Sequence, residues 1–414
     1  MTPTSSPRWL WWLLVVGAGC YFTSFVFYPG LYLAVGTNHY GVWFLDSFAI
    51  LASNDALTRG HDPFAINPLD YFNRPHVYSH WWLHLRDLGL TRADNIRVGF
   101  VIVATFFVTA VARLRPRAPR ELLWYLVVLC CSPILLAINR ANNDLVVFVL
   151  LAPVVPCLLS PHRALRFLPV ALVALAAGLK FYPALAALLL LAGGEVREVR
   201  WRVALAVLAF ALVGFNVAPD LGRISAYLPK AEGLMTFGAA NAFEAAGLTA
   251  RAAKFAGLGL GILVVAALVR GKSFTDWEIR AEDRDTWWSF VLGAVLLTGC
   301  FFAGTNYAYR WVFAVWLAPL LWRLPRDEAA PAAVRRLAGV TRVLLVVTLW
   351  ADPLAGVVLT TLAGHVPGEA IMRAADRVFA FEQPLVWAFF ICLLAFLTHF
   401  AREGLHRLRG GLEP

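Results

Sequence analysis

Residues Trp9 to Leu33 read WLWWLLVVGAGCYFTSFVFYPGLYL, without a single charged side chain. A helix needs about 20 apolar residues to cross the hydrocarbon of a bilayer, and this run is long enough to do so. It follows Arg8 but outlasts the roughly 7–15 apolar residues of a secretory signal, so it is expected to be an uncleaved first span.

The rest of the chain has the same character. Of its 414 residues 60% are apolar and 15% charged, against about 45–50% and 25% in soluble domains. No water-soluble fold can hide that much apolar surface. Dividing the apolar runs by spanning length gives about twelve crossings. These are Leu10 to Leu31, Val98 to Val111, Leu122 to Ala137, Leu145 to Leu159, Leu168 to Leu179, Pro183 to Leu191, Val203 to Ala218, Phe255 to Val269, Trp287 to Phe302, Trp311 to Trp322, Val343 to Leu362 and Leu385 to Phe400. The expected fold is all-α, a polytopic transmembrane helical bundle forming one domain over residues 1–414.

The formal charge of +10 is distributed in short clusters between apolar runs, which argues for topology and against a nucleic-acid face. Arg113, Arg115, Arg117 and Arg120 form one cluster, Arg197, Arg200 and Arg202 a second, and Arg323, Arg326, Arg335, Arg336 and Arg342 a third. By the positive-inside rule these loops and both termini are cytoplasmic. Long outer loops are then expected over Gly36 to Arg97, Pro219 to Lys254 and Gly364 to Pro384. The first contains SHWWLHLRDLGL, an amphipathic run suited to a helix lying in the interface. The fifth and sixth spans are too short to cross alone and meet at Lys180-Phe181-Tyr182-Pro183, a break of the kind that faces protein or a water-filled cavity.

Polar groups at membrane depth are costly, which makes them candidates for function. Asp46 follows the aromatic stretch NHYGVWFLD; it suits a general base for a hydroxyl nucleophile, or a helix N-cap before SFAILA. Lys180 needs an anionic partner, and a lipid phosphate or the membrane interface would serve. Arg310, beside Tyr307 and Tyr309, can clamp a phosphate or anchor the interface. The amides and carboxylate of Asn139-Arg140-Ala141-Asn142-Asn143-Asp144 suit sugar hydroxyls, or a tight turn with an Asp helix cap. His80, Trp81 and Trp82 can stack on a sugar or form an aromatic belt. The six cysteines lie in apolar runs without metal-ligand spacing. No nucleotide-binding loop, HExxH or His/Cys cluster occurs, and no DxD-like carboxylate pair lies near Asp46. Chemistry without metal or cofactor is expected.

Taken together, three blocks resemble the polytopic GT-C glycosyltransferases, and most closely glycosyltransferase family 87, which includes polyprenyl-phosphate-mannose-dependent mannosyltransferases. They are Asp46 with Gly60-His61-Asp62-Pro63-Phe64; Gly178-Leu179-Lys180-Phe181-Tyr182-Pro183; and Tyr307-Ala308-Tyr309-Arg310. The turn Asn139 to Asp144 and the weaker match Gly238-Ala239-Ala240-Asn241 accompany them. Ile50 stands where members often carry an aromatic. The resemblance implies an inverting transfer of a hexose or pentose, mannose favoured, from a polyprenyl-phosphate sugar to a lipid-linked or cell-envelope glycan, on the outer face of a bacterial inner membrane. Asp46 would be the base. Lys180, Arg310, Tyr182 and Tyr309 would meet the donor phosphate, and Asn139, Arg140, Asn142, Asn143, Asp144, His61, Asp62 and Asn241 the sugar or acceptor. Its partners would be that donor, the acceptor and membrane lipids, with no nucleic acid. A transporter or flippase for a lipid-linked sugar is the alternative, although such folds usually show two related halves, which this chain does not.

Overall fold

In a computed structural model the described residues are 7–37, 41–227, 231, 233–271, 277–363 and 365–410, with 406–410 described by backbone alone. The chain is all-α and built for a membrane. Among the described residues seven helices are long and apolar enough to cross one: Arg8–Phe27, Arg92–Arg113, Val196–Tyr227, Ala250–Arg270, Ala281–Ala303, Ala332–Leu362 and Gly368–Leu405. An eighth arises if Pro119–Leu129 and Ser132–Arg140, bent by 53°, form one span. The bend falls just before Pro133, which disfavours helical backbone at the preceding residue and supplies no N–H to the ladder.

Two compact units divide the chain. The first comprises Met1–His39, Ala110–Leu136 and Ala231–Pro414. Its central helix, Arg284–Ala303, is apolar on all sides, and 78% of its spanning window is buried, against 17% for Ala332–Leu362. The less buried window is the more apolar of the two, as fits a helix that turns much of its surface to lipid while the other packs inside the protein. Phe301 stacks on Phe390 at 3.9 Å between ring centroids, and Trp311 packs against Phe389. A two-stranded antiparallel ribbon, β1 (Thr236–Phe237) and β2 (Asn306–Tyr307), is the only sheet among the described residues.

The second unit comprises Tyr40–Thr109 and Ala137–Lys230. Within its long first loop lie the α-helix Leu45–Thr58 and the 3-10 helix His80–Leu88, so SHWWLHLRDLGL winds more tightly than an α-helix. Asn38, His39 and Tyr40 of the aromatic stretch lie outside the described residues. Asn54 joins the two helices, donating to the Trp82 carbonyl at 3.0 Å and accepting from the Arg86 N–H at 2.9 Å. Gly99 is required where it stands, because a Cβ there would overlap the Phe44 ring.

Two loop boundaries differ from expectation. The helix Val196–Tyr227 continues through Pro219 into the segment expected to be loop. Its last turns carry Asn216, Asp220 and Arg223, whose polarity ends the apolar run without ending the helix. They hold the first loop instead: Trp81 Nε1 donates to Asn216 at 2.5 Å, His80 Nδ1 meets Asp220 at 2.7 Å, and Arg223 pairs with Asp62. Residues 228–230 and 232 of that expected loop lie outside the described residues. The segment before Leu385 is also helical, from Gly368 onward, because Glu369, Arg373 and Asp376 interrupt hydropathy but not helix geometry; Gly364 is outside the described residues. Lys180 does mark a break, between the helix Leu168–Leu179 and the 3-10 helix Tyr182–Leu191.

Candidate functional site

The second unit gathers the polar groups of three distant segments into one buried network. Its first anchor is the start of the helix Leu45–Thr58. Phe44 is the N-cap, in the left-handed region at φ 60° and without a side-chain cap, and its N–H donates to the Asn139 carbonyl at 2.9 Å. Asp46 therefore sits in the first turn and caps nothing. Its carboxylate, 4% exposed, accepts from Arg140 Nη2 at 2.6 Å and Nε at 2.9 Å, and from Asn142 Nδ2 at 2.6 Å. Arg74 Nη1 lies 3.8 Å away. The paired donors of a guanidinium match the two oxygens of a carboxylate, the geometry in which charge-assisted hydrogen bonds are strongest. Burial on its own would raise the Asp46 carboxyl, but the Arg140 charge and hydrogen bonds, with Asn142 and Arg74, outweigh it and hold the group below the usual carboxylate range.

The turn from Asn139 to Asp144 explains how Arg140 and Asn142 reach one carboxylate. Ala141 adopts φ 41°, which reverses the chain between the helix ending at Arg140 and the one starting at Asn143. Asn142, rather than Asp144, caps the second helix, accepting from the Asp144 N–H at 2.9 Å. Its amide nitrogen is thereby left to face Asp46.

Asp144 is fully buried and accepts from Lys180 Nζ at 2.5 Å and from the Tyr182 hydroxyl at 2.5 Å. The anionic partner that Lys180 requires is thus a side chain of the same unit. Lys180 Nζ also lies 3.5 Å from Asn142 Oδ1 and 5.9 Å from the Tyr78 ring centroid. On the far side of Asp46, Arg74 is clamped by Asp70 at 2.8 and 2.9 Å and donates to the Leu45 carbonyl at 3.1 Å. Three carboxylates, Asp46, Asp70 and Asp144, are thus matched by Arg74, Arg140 and Lys180, which is how so many charges can be buried together. Asn143 is buried at 1% exposure, and its amide has no hydrogen-bond partner among the described residues.

The network includes Asp46, Arg140, Asn142, Asp144, Lys180 and Tyr182 of the residues chosen from sequence, with Asn139 joined through its backbone. His61 and Asp62 sit apart, on an exposed turn in which Asp62 accepts from the Phe64 N–H at 3.0 Å and pairs with Arg223. Arg74 and Asp70 were not singled out from sequence; the cue available was an arginine four residues after an aspartate in the loop that carries Asp46.

Arg310, Tyr309 and Asn241 belong to the first unit. Arg310, on the 3-10 helix Ala308–Phe313, donates to Cys300 Sγ at 3.3 Å. Tyr309 stacks on Tyr307 at 5.7 Å. Asn241 accepts from Thr305 Oγ1 at 2.7 Å, so the segments Gly238–Asn241 and Gly304–Arg310 meet beside the β1–β2 ribbon. Among the described residues no group of three or more His, Cys, Asp and Glu side chains is placed to hold a metal ion. Compared with family models, curated proteins and solved structures, the chain matches none.

Proposed function

We propose that this protein is a membrane glycosyltransferase that moves a sugar, mannose favoured, from a polyprenyl-phosphate donor to a lipid-linked or cell-envelope glycan acceptor with inversion. The observation that carries the reading is the bidentate Arg140–Asp46 pair within a buried network of matched charges. A carboxylate held this way is anionic but weakly basic. The oxygens of a lipid phosphate are acceptors for the same guanidinium fork, so an arriving donor draws Arg140 toward itself and leaves Asp46 a stronger base.

Asp46 then takes the proton of the acceptor hydroxyl while the acceptor oxygen bonds to the anomeric carbon from the face opposite the phosphate. The bond from that carbon to the phosphate oxygen breaks, and its electron pair leaves with the polyprenyl phosphate, stabilised by Arg140 and Lys180. The amide of Asn143, which has no hydrogen-bond partner among the described residues, suits sugar hydroxyls. Arg310, Tyr309 and Asn241 lie in the first unit, and the reading stands without them. It places the reaction on the outer face of a bacterial inner membrane, with both termini cytoplasmic.

A transporter or flippase would use the same network without making a bond, the exchange of Arg140 between carboxylate and phosphate serving as its gate. Purified protein given a radiolabelled polyprenyl-phosphate mannose separates the two. Label on the glycan acceptor in detergent supports transfer, whereas donor that crosses vesicle membranes unchanged, with no labelled acceptor, supports transport.

A further inference from the structure

The first unit contains a cavity of about 240 Å³ that the proposed transfer reaction does not use. Arg117, Arg280, Arg323 and Arg326 line it together with Trp277 and Trp287. Four guanidinium groups around so small a volume repel one another unless anions compensate. Two of them are compensated by the protein: Arg280 pairs with Asp283 at 2.8 Å and Asp327 at 3.1 Å, and Arg323 with Glu121 at 3.2 Å.

The other two have no carboxylate within ion-pair distance among the described residues. Arg326 lies over the Trp322 ring at 3.8 Å and donates to the Trp322 carbonyl at 2.5 Å, and Arg342 approaches the same ring at 5.6 Å. Arg117 and Arg326 both line the cavity and are both exposed. Glu278 also lines the cavity but is exposed and pairs with neither arginine. In the wall, Trp287 is fully buried. Two guanidinium groups with no carboxylate partner among the described residues therefore line a cavity large enough for a phosphate and a short substituent, since a water's share of liquid volume is about 30 Å³.

We propose that this cavity binds a phosphate group, with Arg117 and Arg326 supplying the charge. The arginines belong to loops read as cytoplasmic from their basic clusters. At that surface the group is either the headgroup of an anionic phospholipid, of the kind basic residues beside spans attract, or a soluble phosphate compound.

Full-length protein, purified in detergent and stripped of lipid, is titrated separately with inorganic phosphate and with phosphatidylglycerol, phosphatidylcholine being the neutral control. Kd is read from the thermal midpoint and from bound mass. At least one arm is expected to saturate, and Arg117→Gln with Arg326→Gln to weaken that Kd by at least about tenfold, the loss of charge-assisted hydrogen bonds. Arg251→Gln, at an exposed position elsewhere in the unit, should leave it unchanged. Saturation by phosphatidylglycerol that inorganic phosphate fails to displace supports the lipid source, and saturation by inorganic phosphate alone the soluble one. If the double variant does not fold, Arg117→Gln alone is expected to weaken binding several-fold. Absence of saturable binding in both arms, or an unchanged Kd in the variants, overturns the proposal.

Discussion

Asp46 and Arg140 hold each other in place, and each would be left exposed to the cost of an unpaired buried charge without the other. Replacing Arg140 by Met is expected to destabilise the protein by about 3 kcal/mol, the usual penalty for removing one partner of a buried pair. The double variant Asp46→Asn, Arg140→Met should lose less than the two single losses combined. A double-mutant cycle in a mixed-micelle unfolding titration checks this, and strict additivity would refute the coupling. His76 makes a second test. It is 3% exposed and neutral, its imidazole lowered from 6.5 to about 4 chiefly by burial. Because the folded protein refuses a proton that the unfolded chain accepts, stability falls as pH drops from 6.5 toward 4 and levels off below that. His76→Asn should flatten the slope within this window; an unchanged slope would assign it to other groups.

Among the elements, the join between the helix ending at Leu179 and the 3-10 helix beginning at Tyr182 positions Lys180. Gly178 gives the Trp81 ring room, for a Cβ there would overlap it, and Trp82 Nε1 donates to the Leu179 carbonyl at 3.1 Å. Gly178→Ala is therefore expected to push Trp81 aside and cost roughly 1–3 kcal/mol of stability, as overpacking does. Thermal unfolding with tryptophan emission reports it, and a wild-type midpoint would mean that the ring moves freely. The break at Lys180 was legible because two apolar runs too short to cross meet at a proline. The turn from Asn139 to Asp144 was legible as a concentration of amides between spans. What could not be read was who pairs with whom: Asp46 and Arg140 are 94 residues apart, and Lys180 and Asp144 are 36. Hydropathy also placed the C-terminal end of the helix Val196–Tyr227 too early, because Asn216, Asp220 and Arg223 look like loop until their partners in the first loop are known.

Across the whole molecule, composition alone indicated a membrane protein, while the division into about twelve crossings compares with seven helices, or eight with the bent pair, that are long and apolar enough to span among the described residues. The sidedness expected from the arginine clusters can be checked directly. In a cysteine-free background, a cysteine at exposed Ile66 should react with an impermeant reagent from outside intact cells, and one at Arg200 only after the membrane is opened. The reverse pattern would move the network to the cytoplasmic face. The central claim is that Asp46 removes the acceptor proton. Its most direct test is the transfer rate of Asp46→Asn from polyprenyl-phosphate mannose, compared with wild type at matched folded fraction. Asn keeps the shape of the side chain but loses the basic oxygen, so turnover should fall by roughly 10²-fold or more while donor binding persists. Transfer at the wild-type rate would remove Asp46 from the chemistry and contradict the account.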